Sequence, residues 1–134
     1  QKSPIVIVFT ESDSYYLDSK GNRISLSQNF SARVPLVFGE IKKGAEKKYL
    51  LLFNEIREDD FLMKNITGAE ILPSGNVVLT NRSYKYEIAF GKPINVKKKL
   101  QNYKAFFQKA VVDSSLYKYK KIDLRFTQQV ICTK

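Results

Sequence analysis

Apolar positions along the chain change period several times, and each change marks an element. Residues 4–9, PIVIVF, are apolar and mostly β-branched, the composition of a strand, and Pro4 fits only at its start because it has no N–H for a ladder. In YYLDSKGNRISLS, residues 15–27, the stretches Tyr15 to Leu17 and Ile24 to Ser27 flank Asp18, Ser19, Gly21 and Asn22. That is the signature of a hairpin whose turn puts Gly21 or Asn22 at positive φ. Residues 32–41, ARVPLVFGEI, form another extended apolar run, in which Pro35 points to an edge strand or to a strand's beginning.

From about Ala45 to Met63 the period becomes helical. Tyr49, Leu52, Phe53 and Ile56 recur on one side, Asp60 to Phe61 extend the pattern, and Lys47, Lys48, Glu55, Glu58 and Asp59 fall on the other. The spacing predicts one amphipathic helix lying on a sheet. Its lysines would sit in the first turn and its acids near the end, against the preference of the helix dipole, so packing must dominate over end charge. Three strand signals follow, Gly68 to Leu72, Asn76 to Thr80 and Tyr84 to Phe90, separated by PSG at 73–75 and NRS at 81–83, both suited to turns. A second helix starts near Asn95, a suitable N-cap, and aligns Val96, Leu100, Tyr103, Phe107 and Val111, while Lys97, Lys98, Lys104 and Lys109 fall on its remaining surface.

The chain finishes with KKIDLRFTQQVICTK, residues 120–134. Ile122, Leu124 and Phe126 alternate with Asp123 and Arg125, the period of a half-buried strand; Thr127 and Gln128 suit a tight turn, and Gln129 to Cys132 suit a last strand. Strands, helix, meander, helix and hairpin in that order indicate an α+β fold: an antiparallel-rich sheet with two α-helices packed on one face and the C-terminal strand at an exposed edge. Such an edge is either capped by another part of the chain or offered to a partner.

Composition restricts the options further. With 134 residues, 43% of them hydrophobic, the chain suits a single domain spanning residues 1–134, and no repeat or linker divides it. The lone Cys132 cannot form an internal disulfide. A start at Gln1 without a basic and apolar leader reads as a processed form or a fragment, and no apolar stretch approaches the roughly 20 residues that span a bilayer. The net charge of +10 is uneven, since residues 1–67 carry +1 and residues 68–134 carry +9. The basic second half favours an anionic partner, whether nucleic acid, a lipid headgroup surface or an acidic protein segment.

Catalytic and metal chemistry finds little material. There is no histidine, which with one cysteine excludes zinc spacing and a Cys/His nucleophile, and the six glycines form no phosphate-binding loop. No cofactor is expected. Glu55, Glu58, Asp59 and Asp60 make the best carboxylate cluster, and a solvated helix end accounts for them. DSKGN at 18–22 has calcium-like oxygens but lacks the closing glutamate, so a turn is the better reading. Tyr84, Lys85 and Tyr86, and again Tyr117 to Lys121, interleave rings with lysines as single-strand nucleic-acid binders do, a pattern that an ordinary amphipathic strand also produces.

Taken in order, PIVIVF, YYLDSKGNRISLS, ARVPLVFGEI, a helix, GAEILPSGNVVLT, GKPINVKKKLQNYKAFF and KKIDLRFTQQVIC resemble the extracytoplasmic β domain of the bacterial cell-division family FtsQ, also called DivIB. The resemblance covers roughly Pro4 to Thr133, and the run I-D-L-R-aromatic before a closing strand is its most specific part. It implies a non-enzymatic divisome scaffold that links early and late division proteins at the septum. The parent would be a single-pass inner-membrane protein with this domain on the periplasmic side, and residues 1–9 would join it to a POTRA domain, with the cytoplasmic tail and transmembrane helix outside this chain.

The resemblance also implies the partners FtsB and FtsL, with an FtsB strand added to the last strand of the domain, and no nucleic acid is expected. By position, Arg125 corresponds to the basic residue that meets an acidic side chain of FtsB, Phe126 to the aromatic that packs on it, and Gln128, Gln129, Val130, Ile131 and Cys132 to the strand that pairs; Lys121 and Asp123 flank them. Two departures stand out: Phe126 replaces a tyrosine of well-studied members, and PSGN at 73–76 lacks their nearby arginine. An unoccupied edge could also pair with its own copy. The alternative from charge alone is a nucleic-acid or anionic-surface binder that uses the basic second half.

Overall fold

The computed structural model describes residues 4–25, 34–42, 44–112, 115–126 and 130–133. Among these residues nine strands form one sheet: β1 (Pro4–Phe9), β2 (Ser14–Asp18), β3 (Arg23–Ser25), β4 (Leu36–Phe38), β5 (Ile66–Ile71), β6 (Val77–Asn81), β7 (Glu87–Gly91), β8 (Lys121–Asp123) and β9 (Ile131–Thr133). Their spatial order is β3-β2-β1-β4-β5-β6-β7-β8-β9. The sheet is mixed, because β1–β4, β4–β5 and β7–β8 run parallel while the remaining neighbours are antiparallel. Parallel neighbours need crossover connections, and the helical segments lie in two of these.

Among the described residues three α-helices, not two, accompany the sheet: α1 (Glu46–Arg57), α2 (Asp60–Asn65) and α3 (Val96–Val112). The single helix expected over Ala45 to Met63 breaks at Asp59, whose backbone is extended and whose side chain accepts from the Leu62 N–H at 3.1 Å as an N-cap. The break eases the conflict with the helix dipole only in part, since Lys47 and Lys48 stay in the first turn of α1 and Glu55 in its last. Glu46 opens α1, Arg57 closes it, and Asp60 lies in the first turn of α2.

Tyr49, Leu52, Phe53 and Ile56 of α1 and Val96, Leu100 and Tyr103 of α3 join Val6, Val8, Val37, Leu79, Ile88 and Ile122 of the strands in one core. Phe107 is only partly buried and Val111 is exposed. Pro35 begins a strand instead of marking an edge: β4 lies between β1 and β5, and the Pro35 carbonyl accepts from the Ile7 N–H at 3.1 Å. The β2–β3 turn matches its sequence signature. The Asp18 carboxylate accepts from the N–H groups of Lys20 and Asn22 at 2.9 and 2.8 Å, and Gly21 takes the positive φ of 92°.

Candidate functional site

β8 is held on one side by β7 in parallel and on the other by β9 in antiparallel fashion, with Lys121 opposite Thr133, Ile122 opposite Cys132 and Asp123 opposite Ile131. β9 ends the sheet, and no described strand pairs with its outer side. Its residues carry neither charge nor proline, the usual devices that block an edge. Ile131 is 41% exposed, and Cys132 is half-buried, with burial pushing its thiol pKa up.

The expected strand through Phe126 stops at Asp123, and the carboxylate of Asp123 is the reason. That side chain, 9% exposed, accepts from the Arg125 backbone N–H at 3.0 Å, which turns the chain, and from the Arg125 guanidinium through Nε at 2.9 Å and Nη2 at 2.6 Å. Leu124 stays fully buried, its N–H donating to the Ala89 carbonyl, whereas Phe126 stands 48% exposed with the Arg125 guanidinium 5.8 Å from its ring centre. Arg125 holds the Asp123 carboxyl below the usual aspartate range, with burial opposing it. Half-exposed as it is, Arg125 therefore meets an acid of its own chain first.

Two residues that sequence reasoning passed over support this corner. Gly91, at the end of β7, has a φ of 81°, and a Cβ there would lie 2.8 Å from Cγ of Arg125, so only glycine lets the arginine stem lie across the strand end. Lys99 is 2% exposed and donates through Nζ to the carbonyls of Phe90 and Lys92, both at 3.0 Å. Burial lowers its pKa, and Asp123 partly offsets that effect. Lys99 stands three residues after Val96 and four before Tyr103, a helical spacing that would have marked it as a residue of the buried face.

Of the expected partner-binding residues, Lys121, Asp123, Arg125, Phe126, Ile131 and Cys132 come together at this end of the sheet, and partly buried Val130 leads into β9. Gln128 and Gln129 lie outside the described residues, as does the turn expected at Thr127 and Gln128.

The other candidates resolve into structural roles. Asp59 caps α2 and pairs with Lys104 at 2.6 Å, which chiefly lowers its pKa; Glu58 pairs with Arg57 and Glu55 with Lys97. Tyr84 stacks on Tyr86 and contacts Phe107 and Tyr117. Tyr86 is buried and hydrogen-bonded to the Tyr103 hydroxyl at 2.7 Å, within a network that includes Asn65 and Asn81. These rings are largely committed to packing, although Tyr117 is 77% exposed.

No curated protein matches the chain in sequence. Among solved structures it is similar to the major extracytoplasmic domain of the trans isomer of the cell-division protein DivIB from Geobacillus stearothermophilus. The TM-score is 0.55 at 14% identity, over 85% of this chain and 96% of that one, a likeness of fold. The model of the family described as FtsQ/DivIB, C-terminal related, matches residues 3–133. Matched over nearly its whole length, the chain belongs to the FtsQ/DivIB C-terminal related family.

Proposed function

We propose that this domain is a non-enzymatic scaffold of bacterial cell division that docks FtsB, together with FtsL, by strand addition on β9, on the periplasmic side of the inner membrane at the septum. One observation carries the reading: β9 ends a nine-stranded sheet with an uncharged, proline-free outer edge beside an exposed aromatic, Phe126. Backbone groups on that edge supply affinity, and alternate side chains supply selectivity. Lys118, Lys120, Lys121 and Arg125 lie in or beside β8 and attract an acidic partner segment. Asp123 holds the Arg125 stem in place, so the outer face of the guanidinium is presented in one orientation. The family match supports the division role, and the resemblance in the IDLRF run supports the choice of partner.

The test is a calorimetric titration with the extracytoplasmic segment of the FtsB from the same cell, at low and high salt. Phe126→Ala and Ile131→Lys are measured alongside, the second adding the kind of charge that natural edges use as a block. The expected result is saturable binding that each variant weakens by about 2 kcal/mol, as for an interface hot spot. Absence of binding at both salts rejects the reading. Binding that collapses with salt and ignores both substitutions assigns the function to the basic surface instead.

A further inference from the structure

We infer that a cleft between α1 and the approach to α3 is a second docking site, which takes an acidic protein segment carrying apolar side chains between its carboxylates. The site goes beyond strand addition, since it uses none of the residues of β8 or β9. Its volume is about 900 Å³. One wall is the outer stripe of α1, Lys48, Leu51 and Glu55, and the other is Pro93 and Ile94 with Lys97 and Lys98 of the first turn of α3.

Two of these residues break the amphipathic pattern of the surface. Leu51 lies opposite the buried face of α1 and is 63% exposed, and Ile94 is 58% exposed. Large apolar side chains exposed on both walls of one cleft mark an interaction surface more often than a solvated one. Tyr49 closes the floor, and its hydroxyl already donates to the Gly75 carbonyl at 3.0 Å. The floor therefore lacks the convergent buried polar groups that orient a small molecule.

Charge selects the occupant. Lys48, Lys92, Lys97 and Lys98 ring the cleft against one acid, Glu55, which pairs with Lys97 at 3.8 Å. An incoming carboxylate can take over the place of Glu55 beside Lys97, and apolar side chains between such carboxylates reach Leu51 and Ile94. A flat lipid surface fits poorly, because a bilayer receives projecting apolar groups and this surface is concave.

The probe is a fluorescein-labelled amphipathic peptide of glutamate and leucine, with a lysine-and-leucine peptide as control, followed by anisotropy and by amide shift mapping of the intact domain. The expected shifts gather at Leu51, Ile94, Lys97 and Lys98, and Leu51→Ser and Ile94→Ser each weaken binding roughly tenfold, as loss of a buried apolar contact requires. Both positions are exposed, so both variants fold. Phe126→Ala leaves peptide binding unchanged, which keeps this outcome separate from that of the β9 edge. Shifts spread over the whole basic surface, or equal binding of the lysine peptide, overturn the inference. So do displacement of the peptide by vesicles of anionic phospholipid and a concentration-dependent dimer abolished by Leu51→Ser, which give the cleft to lipid and to a second copy respectively.

Discussion

Replacing Asp123 or Arg125 separately tests whether the pair organises the corner beside β9. Asp123 is 6% exposed and accepts four hydrogen bonds of 2.6 to 3.1 Å from Arg125, whose side chain is 48% exposed. Asp123→Asn keeps an oxygen for the Arg125 N–H and releases the guanidinium to water, so the loss is about 1 to 2 kcal/mol. Arg125→Met strands a buried carboxylate and costs more, about 2 to 3 kcal/mol. The double variant recovers part of that, with a coupling of about 1 kcal/mol or more.

Urea unfolding followed by circular dichroism supplies these numbers, and pH supplies a second axis. The folded-state pKa of Asp123 lies below its ordinary 3.8, chiefly through the Arg125 hydrogen bonds. Its stabilisation is thus complete above the unfolded pKa of about 3.9 and is lost as pH falls through the lower folded value. In Arg125→Met that leading cause is gone and burial opposes what remains, so less stability is lost as pH falls through the acid range than in the parent. The reasoning is refuted if both single variants fall within about 0.3 kcal/mol of the parent and their effects add.

Gly91→Ala places a methyl group 2.8 Å from Cγ of Arg125 at a φ of 81°; a loss of about 1 to 3 kcal/mol in urea unfolding is expected, with weaker FtsB binding by calorimetry as the arginine moves. Tyr103→Phe removes a fully buried hydroxyl that bonds Asn65, Asn81 and Tyr86, and thermal unfolding should report a destabilisation of about 1 to 3 kcal/mol. Asp59→Ala loses both the α2 cap and the Lys104 pair, and a drop of about 1 to 2 kcal/mol at neutral pH should shrink as pH falls below the unfolded aspartate pKa of about 3.9 and through the parent's lower folded value.

Period and turn chemistry made much of the fold legible. β1 runs from Pro4 to Phe9 as its apolar run indicates, α3 starts one residue after Asn95, and Gly21 supplies its turn. Strand direction was not legible, because a short apolar run has the same pattern in parallel and antiparallel neighbours. Leu36–Phe38 thus gave no sign that it lies inside the sheet between two parallel partners. The break before α2 was hidden because Asp59 fits a helix surface as well as an N-cap, and only its bond to the Leu62 N–H distinguishes them. At the site, alternation found buried Ile122 and Leu124 but carried the strand too far, since it cannot register that Asp123 accepts from its own neighbour Arg125 and turns the chain. Lys99 was readable from helical spacing, whereas its carbonyl partners Phe90 and Lys92 were not, as they belong to the end of β7 and the residue after it.

Strand addition on β9 is tested most directly by amide hydrogen exchange over residues 130–133, with and without the extracytoplasmic segment of FtsB. An edge strand exchanges quickly on its outer side, and pairing protects it. The account predicts that FtsB slows exchange within Ile131–Thr133 at least tenfold, a change of about 1.4 kcal/mol in opening free energy, and that Ile131→Lys abolishes this protection. Saturating FtsB that leaves these amides as fast as before, while protecting another surface, would contradict it.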